Sequence, residues 1–219
     1  MPFSPLPGTF SDDLDRLGTT GVLELGSGHG AFTDVLRELG QRPWTIDHAG
    51  PWRGVHPHVV SDAIRPGVRG PFGVVVAANL LRHVWPAVSL EGPVVWADLL
   101  SPGGTLWILE DEPLQAPASA DNYRRLQNLL AELQPGEHEA LLPAAAFETA
   151  CRGWNWPGSW QFGTQPNGWP ADADRVLSML AGGDPAPGSE VAELMDSIAR
   201  FGISYGHCWW ARWQGKATA

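Results

Sequence analysis

Leu23-Glu24-Leu25-Gly26-Ser27-Gly28-His29-Gly30 places glycines at alternate positions between an apolar run and a stretch with helical spacing. Glycine accepts positive φ and lets backbone come close to a ligand, while the helix behind it aims its first N–H groups at an electron-rich group. A carboxylate, Asp47, closes the next apolar run. Together these residues suit close approach of backbone to a ligand. Further along stand residues able to move a proton: His83 after the fourth apolar run, Glu110 and Asp111 after the fifth, Tyr123, and the i, i+2 pair Tyr205 and His207. The Trp154-Asn155-Trp156-Pro157-Gly158-Ser159-Trp160 stretch could wall a flat or cationic ligand, although packing of a Trp-rich core explains it at least as well. Cys208 reads as a small buried hydrophobe.

These residues need elements to hold them. Gly21–Leu25, Pro43–Asp47, His58–Asp62, Phe72–Ala78 and Thr105–Leu109 are short apolar runs bounded by turn residues, and so read as strands. Between the first two, residues 31–39 carry Phe32, Val35, Leu36 and Leu39 at helical spacing, with Gly40 as a C-cap. Residues 87–99 read as helix interrupted near Pro93, and 101–104, Ser-Pro-Gly-Gly, as a turn. Strands alternating with helices imply βαβ units and a parallel sheet. After residue 113 the pattern gives helices at 120–133, with Asp121 a possible N-cap, at 143–152, 171–181 and 189–200, and strands at 159–163 and 203–213. No repeat of 20–50 residues is present.

Gly26, Gly28 and Ala31 satisfy the G-x-G-x-x-A form of a dinucleotide-binding turn, but other segments point elsewhere. Gly30, together with Glu24 two residues before the first glycine, resembles motif I of the class I S-adenosylmethionine-dependent methyltransferases. Ser61-Asp62-Ala63-Ile64-Arg65-Pro66 resembles that family's segment after the third strand. Phe72 to Val84 resembles its fourth strand and the residues that follow, and Leu100-Ser101-Pro102-Gly103-Gly104 the turn into its fifth. The four segments keep the family's order over residues 21–110.

The resemblance implies an α/β fold in one domain over residues 1–219. Its Rossmann-like seven-stranded, mostly parallel sheet would have helices on both faces, with one of the last two strands antiparallel. Residues 21–113 would form the cofactor-binding half. Residues 114–219 would form the acceptor-side half, with a helical insertion near the C-terminus, at about 164–200, that could close as a lid. S-adenosyl-L-methionine is the implied cofactor. Gly26, Ser27, Gly28 and Gly30 would bound its methionine moiety, with Glu24 ordering that loop or holding the amino group. Asp47 would take the ribose hydroxyls, Asp62 the adenine amino group and Ala63 the ring through its N–H. Asn79 would lie beside the methyl group, and His48 and Leu80 complete the expected contacts. Local alternatives stand beside these roles: turn glycines, a loop acid at Asp47, a helix N-cap at Asp62 and a turn cap at Asn79. His83 and Glu110 are the candidate bases, with a structural role open for His83 and a surface acid for Glu110. A base is needed only if the acceptor carries a proton. No metal is expected. The short N-terminal segment leaves little chain to cover the cofactor from that side.

The chain has 219 residues with 14 basic and 24 acidic side chains, a net charge of −10. That field opposes the many phosphate contacts of tight nucleic-acid binding, and Arg124-Arg125 reads as a solvated helix face. No apolar run reaches membrane-spanning length. The N-terminal MPFSPLPGTFSDDLDRLG lacks a basic segment followed by an apolar one. Two cysteines are too few for a disulfide scaffold. A cytoplasmic enzyme acting on a small-molecule acceptor is expected. The alternatives are a catalytically silent cofactor-binding subunit and a nicotinamide-dependent oxidoreductase. Against the latter stand Gly30, Glu24 and the lack of a Tyr-x-x-x-Lys pair.

Overall fold

The computed structural model describes residues 6–50, 57–91, 94–112, 118–133, 141–154, 158–170, 173–181 and 185–215. Its centre is a seven-stranded sheet: β1 (Val22–Leu25), β2 (Trp44–Asp47), β3 (His58–Val60), β4 (Phe72–Ala78), β5 (Leu100–Glu112), β6 (Gly158–Pro170) and β7 (Ser204–Gly215). The order is β3-β2-β1-β4-β5-β7-β6. β1 to β5 are mutually parallel, and β7 runs antiparallel between β5 and β6. The expected Rossmann-like seven-stranded sheet with one reversed strand is therefore present.

Strand periodicity sorts the core onto the two faces of the sheet. Val22, Val74, Val76, Trp107 and Leu109 pack on one face with Phe10 and Leu14 of α1 (Gly8–Leu17) and Phe32, Val35 and Leu36 of α2 (Ala31–Glu38). Leu23, Val75, Ala77, Leu106 and Ile108 pack on the other with Leu81 and Val88 of α3 (Leu81–Glu91), Trp96 of α4 (Val94–Ala97) and Phe147 of α6 (Ala144–Gly153). A third cluster joins Tyr123, Leu126 and Leu129 of α5 (Ala118–Leu133) to Leu180 of α7 (Ala173–Ala181) and Leu194 and Ile198 of α8 (Glu190–Phe201).

The structure revises several boundaries. α1 was not expected from the acidic N-terminal segment, yet Phe10 and Leu14, four apart, are fully buried. Its Asp13 is buried too. It accepts from Trp107 Nε1 at 2.9 Å, Arg212 Nε at 2.7 Å and Nη2 at 3.0 Å, and Arg16 at 2.9 Å. Burial alone would raise the Asp13 pKa; these donors outweigh it and hold the carboxyl below its usual value. α3 begins at Leu81, six residues before the expected 87, and Pro93 lies outside the described residues. β5 absorbs the Ser101–Gly104 turn as an irregularity: Phe72 pairs with Leu100, but Val74 with Thr105. β6 continues to Pro170, so the helices expected within 164–200 occupy 173–201 and rest on α5. Asp121 lies inside the first turn of α5 and is not its N-cap; it pairs with Arg124 at 2.6 Å.

Candidate functional site

In the order β3-β2-β1-β4 the chain winds outward from β1 to β3 and then crosses back to β4, so a switch point lies between β1 and β4. Open α/β sheets bind ligands at such a point, outside the carboxyl ends of the strands. A cleft of about 880 Å³ lies there, lined by Gly26, Gly28, His29, Asp47, His48, Ala49, Val60, Ser61, Asp62, Ala63, Asn79, Leu80, His83 and Val84.

Backbone hydrogen bonds place its loops. The glycine turn hangs from β2: Gly26 N–H and Ser27 N–H both donate to the Ile46 carbonyl, at 2.8 and 3.1 Å. Gly26 has φ of +67°, and a Cβ there would sit 2.5 Å from Leu80 Cδ1, so glycine lets β4's loop press against the turn. Gly28, at φ +48°, has nothing within 4 Å of a notional Cβ and faces open space. Gly30 N–H returns to the Ser27 carbonyl at 2.8 Å and leads into α2.

Asp47 joins three loops. Its Oδ2 accepts from Gly28 N–H at 2.7 Å and its Oδ1 from Ala49 N–H at 3.2 Å, while its carbonyl accepts from Ser61 N–H at 2.9 Å. The side chain is buried but lines the cleft. Oδ2, with Gly28 N–H as its partner, keeps a second lone pair for a hydroxyl donor. His48 Nδ1 lies 2.9 Å from Asp47 Oδ1 on a side chain that is 92% exposed. Val60 offers an apolar wall, 62% exposed. Asp62 is exposed and accepts from Ile64 N–H at 2.8 Å in a side-chain turn; no helix follows for it to cap. Ala63 is fixed through its carbonyl by Trp96 Nε1 at 2.7 Å.

Asn79 stands at φ +51°, uncommon without glycine but tolerated by asparagine. Its Oδ1 accepts from Asp111 N–H and its Nδ2 donates to Asp111 Oδ2, both at 3.1 Å, tying the end of β4 to β5. His83, on the first turn of α3, is exposed at the cleft.

Glu24, Ser27, Gly30 and Glu110 do not line the cleft. Glu24 is buried and accepts from Thr33 Oγ1 at 2.5 Å, which joins β1 to α2. Burial, with Asp34 and Asp47 adding to it, pushes its pKa up to about 8, so it orders the loop as a neutral acid. Glu110 is fully buried, not a surface acid. Its Oε1 takes Leu81 N–H at 2.5 Å, and burial raises its pKa to about 7 against the pull of Arg82. That side chain serves the N-terminus of α3.

Tyr123 is buried and donates to Asp111 Oδ2 at 2.9 Å. Cys208 and Cys151 are buried thiols pushed up to about 12, chiefly by burial. The described tryptophans of the Trp-rich stretch pack. Trp154, Trp160 and Phe162 surround Phe147 at ring-centre distances of 5.7, 5.3 and 6.3 Å, and Trp209 stacks on it at 5.3 Å. Residues 155–157 and the Tyr205 side chain lie outside the described residues. Among the described residues no helix is long and apolar enough to cross a membrane, and no group of three His, Cys, Asp or Glu is placed to hold a metal. The sequence reading missed His29, Ala49, Val60, Ser61 and Val84 as lining. Ser61 and Val60 directly precede Asp62, and Ala49 follows the Asp47-His48 pair, so proximity alone could have included them.

No family model and no curated protein matches this sequence. Solved structures do match its fold. A cyclopropane-fatty-acyl-phospholipid synthase-like protein from Lactobacillus casei aligns with 94% of this chain and 89% of its own, at 14% identity and a TM-score of 0.62. A cyclopropane synthase from Mycobacterium tuberculosis aligns over 94% and 82%, at 13% and 0.56. A SAM-dependent methyltransferase from Archaeoglobus fulgidus aligns over 94% and 93%, at 15% and 0.54. The chain has the class I methyltransferase fold.

Proposed function

We propose that this protein binds S-adenosyl-L-methionine in the β1–β4 cleft and transfers its methyl group to a small-molecule acceptor. The observation that carries the reading is Asp47: a buried carboxylate at the end of β2, held by the amides of Gly28 and Ala49, and facing the same cleft as Ala63 and Asn79. Open space at Gly28 and the apolar wall at Val60 suit a nucleoside with an amino-acid tail. The reversed β7 departs from the 3-2-1-4-5-6 sheet of dinucleotide-binding folds and weighs against the nicotinamide alternative.

The cofactor supplies an activated methyl group on a sulfonium, so the protein's task is positioning and desolvation rather than bond activation. Asp47 would accept the ribose hydroxyls, Asp62 and the Ala63 N–H would take the adenine edge, and the Gly26–Gly28 turn would leave room for the methionine chain. Asn79, held by Asp111, would line the cleft beside the methionine moiety. His83 is the acceptor-side base, because its ring is exposed at the cleft whereas Glu110 is sealed beneath α3. The cleft carries Asp47 and Asp62 within a chain of net charge −10, which favours a neutral or cationic small acceptor over a polyphosphate.

Calorimetric titration with S-adenosylhomocysteine, with NAD as control, tests the cofactor assignment. Micromolar binding of the first without the second is expected, and NAD binding alone would overturn the reading. Methyl transfer in an acceptor screen then separates an enzyme from a silent binding subunit, and His83→Ala is expected to slow transfer while leaving S-adenosylhomocysteine affinity intact.

A further inference from the structure

His58 opens β3 and does not line the cleft, yet it connects two residues that place it. Its Nε2 lies 2.8 Å from the Ala49 carbonyl oxygen, and its Nδ1 lies 2.8 Å from Thr45 Oγ1. A carbonyl oxygen only accepts, so Nε2 carries the proton and donates. In the neutral ring Nδ1 then accepts from the Thr45 hydroxyl. The strands set this up, because Thr45 of β2 pairs in register with His58 of β3.

The Ala49 residue is therefore gripped on both sides. Its carbonyl is held by His58 and its N–H donates to Asp47 Oδ1 at 3.2 Å. Asp47, His48 and Ala49 all line the cleft. The turn they form is the one that aims the Asp47 carboxylate, and the imidazole is the side chain that ties it back to the sheet.

Building on the cofactor reading above, we propose that His58 is a positioning residue of the nucleoside end of the cleft. It fixes the Asp47–Ala49 turn through a Thr45–His58–Ala49 relay and touches no ligand itself. Two features of the ring are needed: a donor at the Nε2 position for Ala49, and an acceptor at the Nδ1 position that lets the Thr45 hydroxyl choose this tautomer. Glutamine extends far enough to present an N–H near the Nε2 position. Asparagine is shorter and reaches only toward Thr45.

The test is S-adenosylhomocysteine calorimetry on the wild-type chain and on His58→Ala, His58→Gln, His58→Asn and Thr45→Val, with thermal unfolding of each. A second readout is the imidazole 15N spectrum of the wild type and Thr45→Val. His58→Ala should weaken binding about tenfold, the equivalent of one well-placed hydrogen bond. Glutamine should restore most of that loss and asparagine should not. The spectrum should show His58 protonated at Nε2, with that tautomer less dominant in Thr45→Val. Unchanged affinity in His58→Ala would overturn the proposal. So would a loss that is the same for glutamine and asparagine and tracks their unfolding temperatures, since that describes a merely structural residue. A wild-type chain that binds no S-adenosylhomocysteine removes the cofactor reading, and this positioning role falls with it. Binding by wild type with no effect in the variants removes only the positioning role.

Discussion

Asp47 and Glu110 both lie at the carboxyl ends of parallel strands, at the same edge of the sheet, and both are buried; their surroundings are opposite. Asp47 is held by two amides of flanking turns and still faces the cleft. Glu110 is fully buried, and its Oε1 accepts the Leu81 N–H at the start of α3. The first N–H groups of a helix have no partner within it and attract a carboxylate. A strand-end acid is therefore free for a ligand only where no helix start lies beside it. Asp47 is followed by a turn, whereas Glu110 faces the start of α3.

The comparison can be broken most severely through a third acid that is wholly architectural. Asp13→Ala leaves Arg212, at 11% side-chain exposure, without its partner, and a broken buried pair costs about 3–5 kcal/mol. Urea unfolding should show that loss, and an unchanged midpoint would remove Asp13 from the structural set. The Asp13 pKa is lowered on folding, so its contribution is present above the unfolded carboxyl pKa and is lost as pH falls through the folded value.

The two turn glycines separate next. Gly26→Ala meets Leu80 and a positive φ together, whereas Gly28→Ala meets only the positive φ, worth about 1–2 kcal/mol. Unfolding should therefore cost more at Gly26. Gly28→Ala should instead be read chiefly in weakened S-adenosylhomocysteine binding, because its methyl projects into open space.

The pH profile sharpens the contrast more gently. Glu24 and Glu110 have folded pKa values raised to about 8 and about 7, chiefly by burial. Their contribution is full below the unfolded value near 4.5 and is lost as pH rises through the folded values, so stability should decline between pH 5 and 9. Glu24→Gln and Glu110→Gln should each flatten that decline in unfolding titrations at pH 5, 7 and 9; profiles parallel to wild type would contradict the assignment.

The half from β1 to β5 was largely legible because its signals are local. Phe72–Ala78 is one apolar run and matches β4 end to end, and the glycine turn sits between its own strand and helix. What was not legible depends on distant partners. The start of α3 depends on Glu110, 29 residues away, which accepts the Leu81 N–H. α1 looks solvated in sequence because Asp13 is balanced by Arg212, 199 residues on. Glu110 looked like a ligand-facing acid for the same reason: nothing near it in sequence shows the helix start that claims it. His58 reads as an ordinary strand residue until register sets it against Thr45.

The most direct measurement is S-adenosylhomocysteine binding to Asp47→Ala and Glu110→Gln side by side with wild type. Loss of a charge-assisted bond predicts that Asp47→Ala weakens binding by about 1–2 kcal/mol, while Glu110→Gln binds as wild type does. Wild-type affinity in Asp47→Ala, or a larger loss in Glu110→Gln, would contradict the division between the two acids.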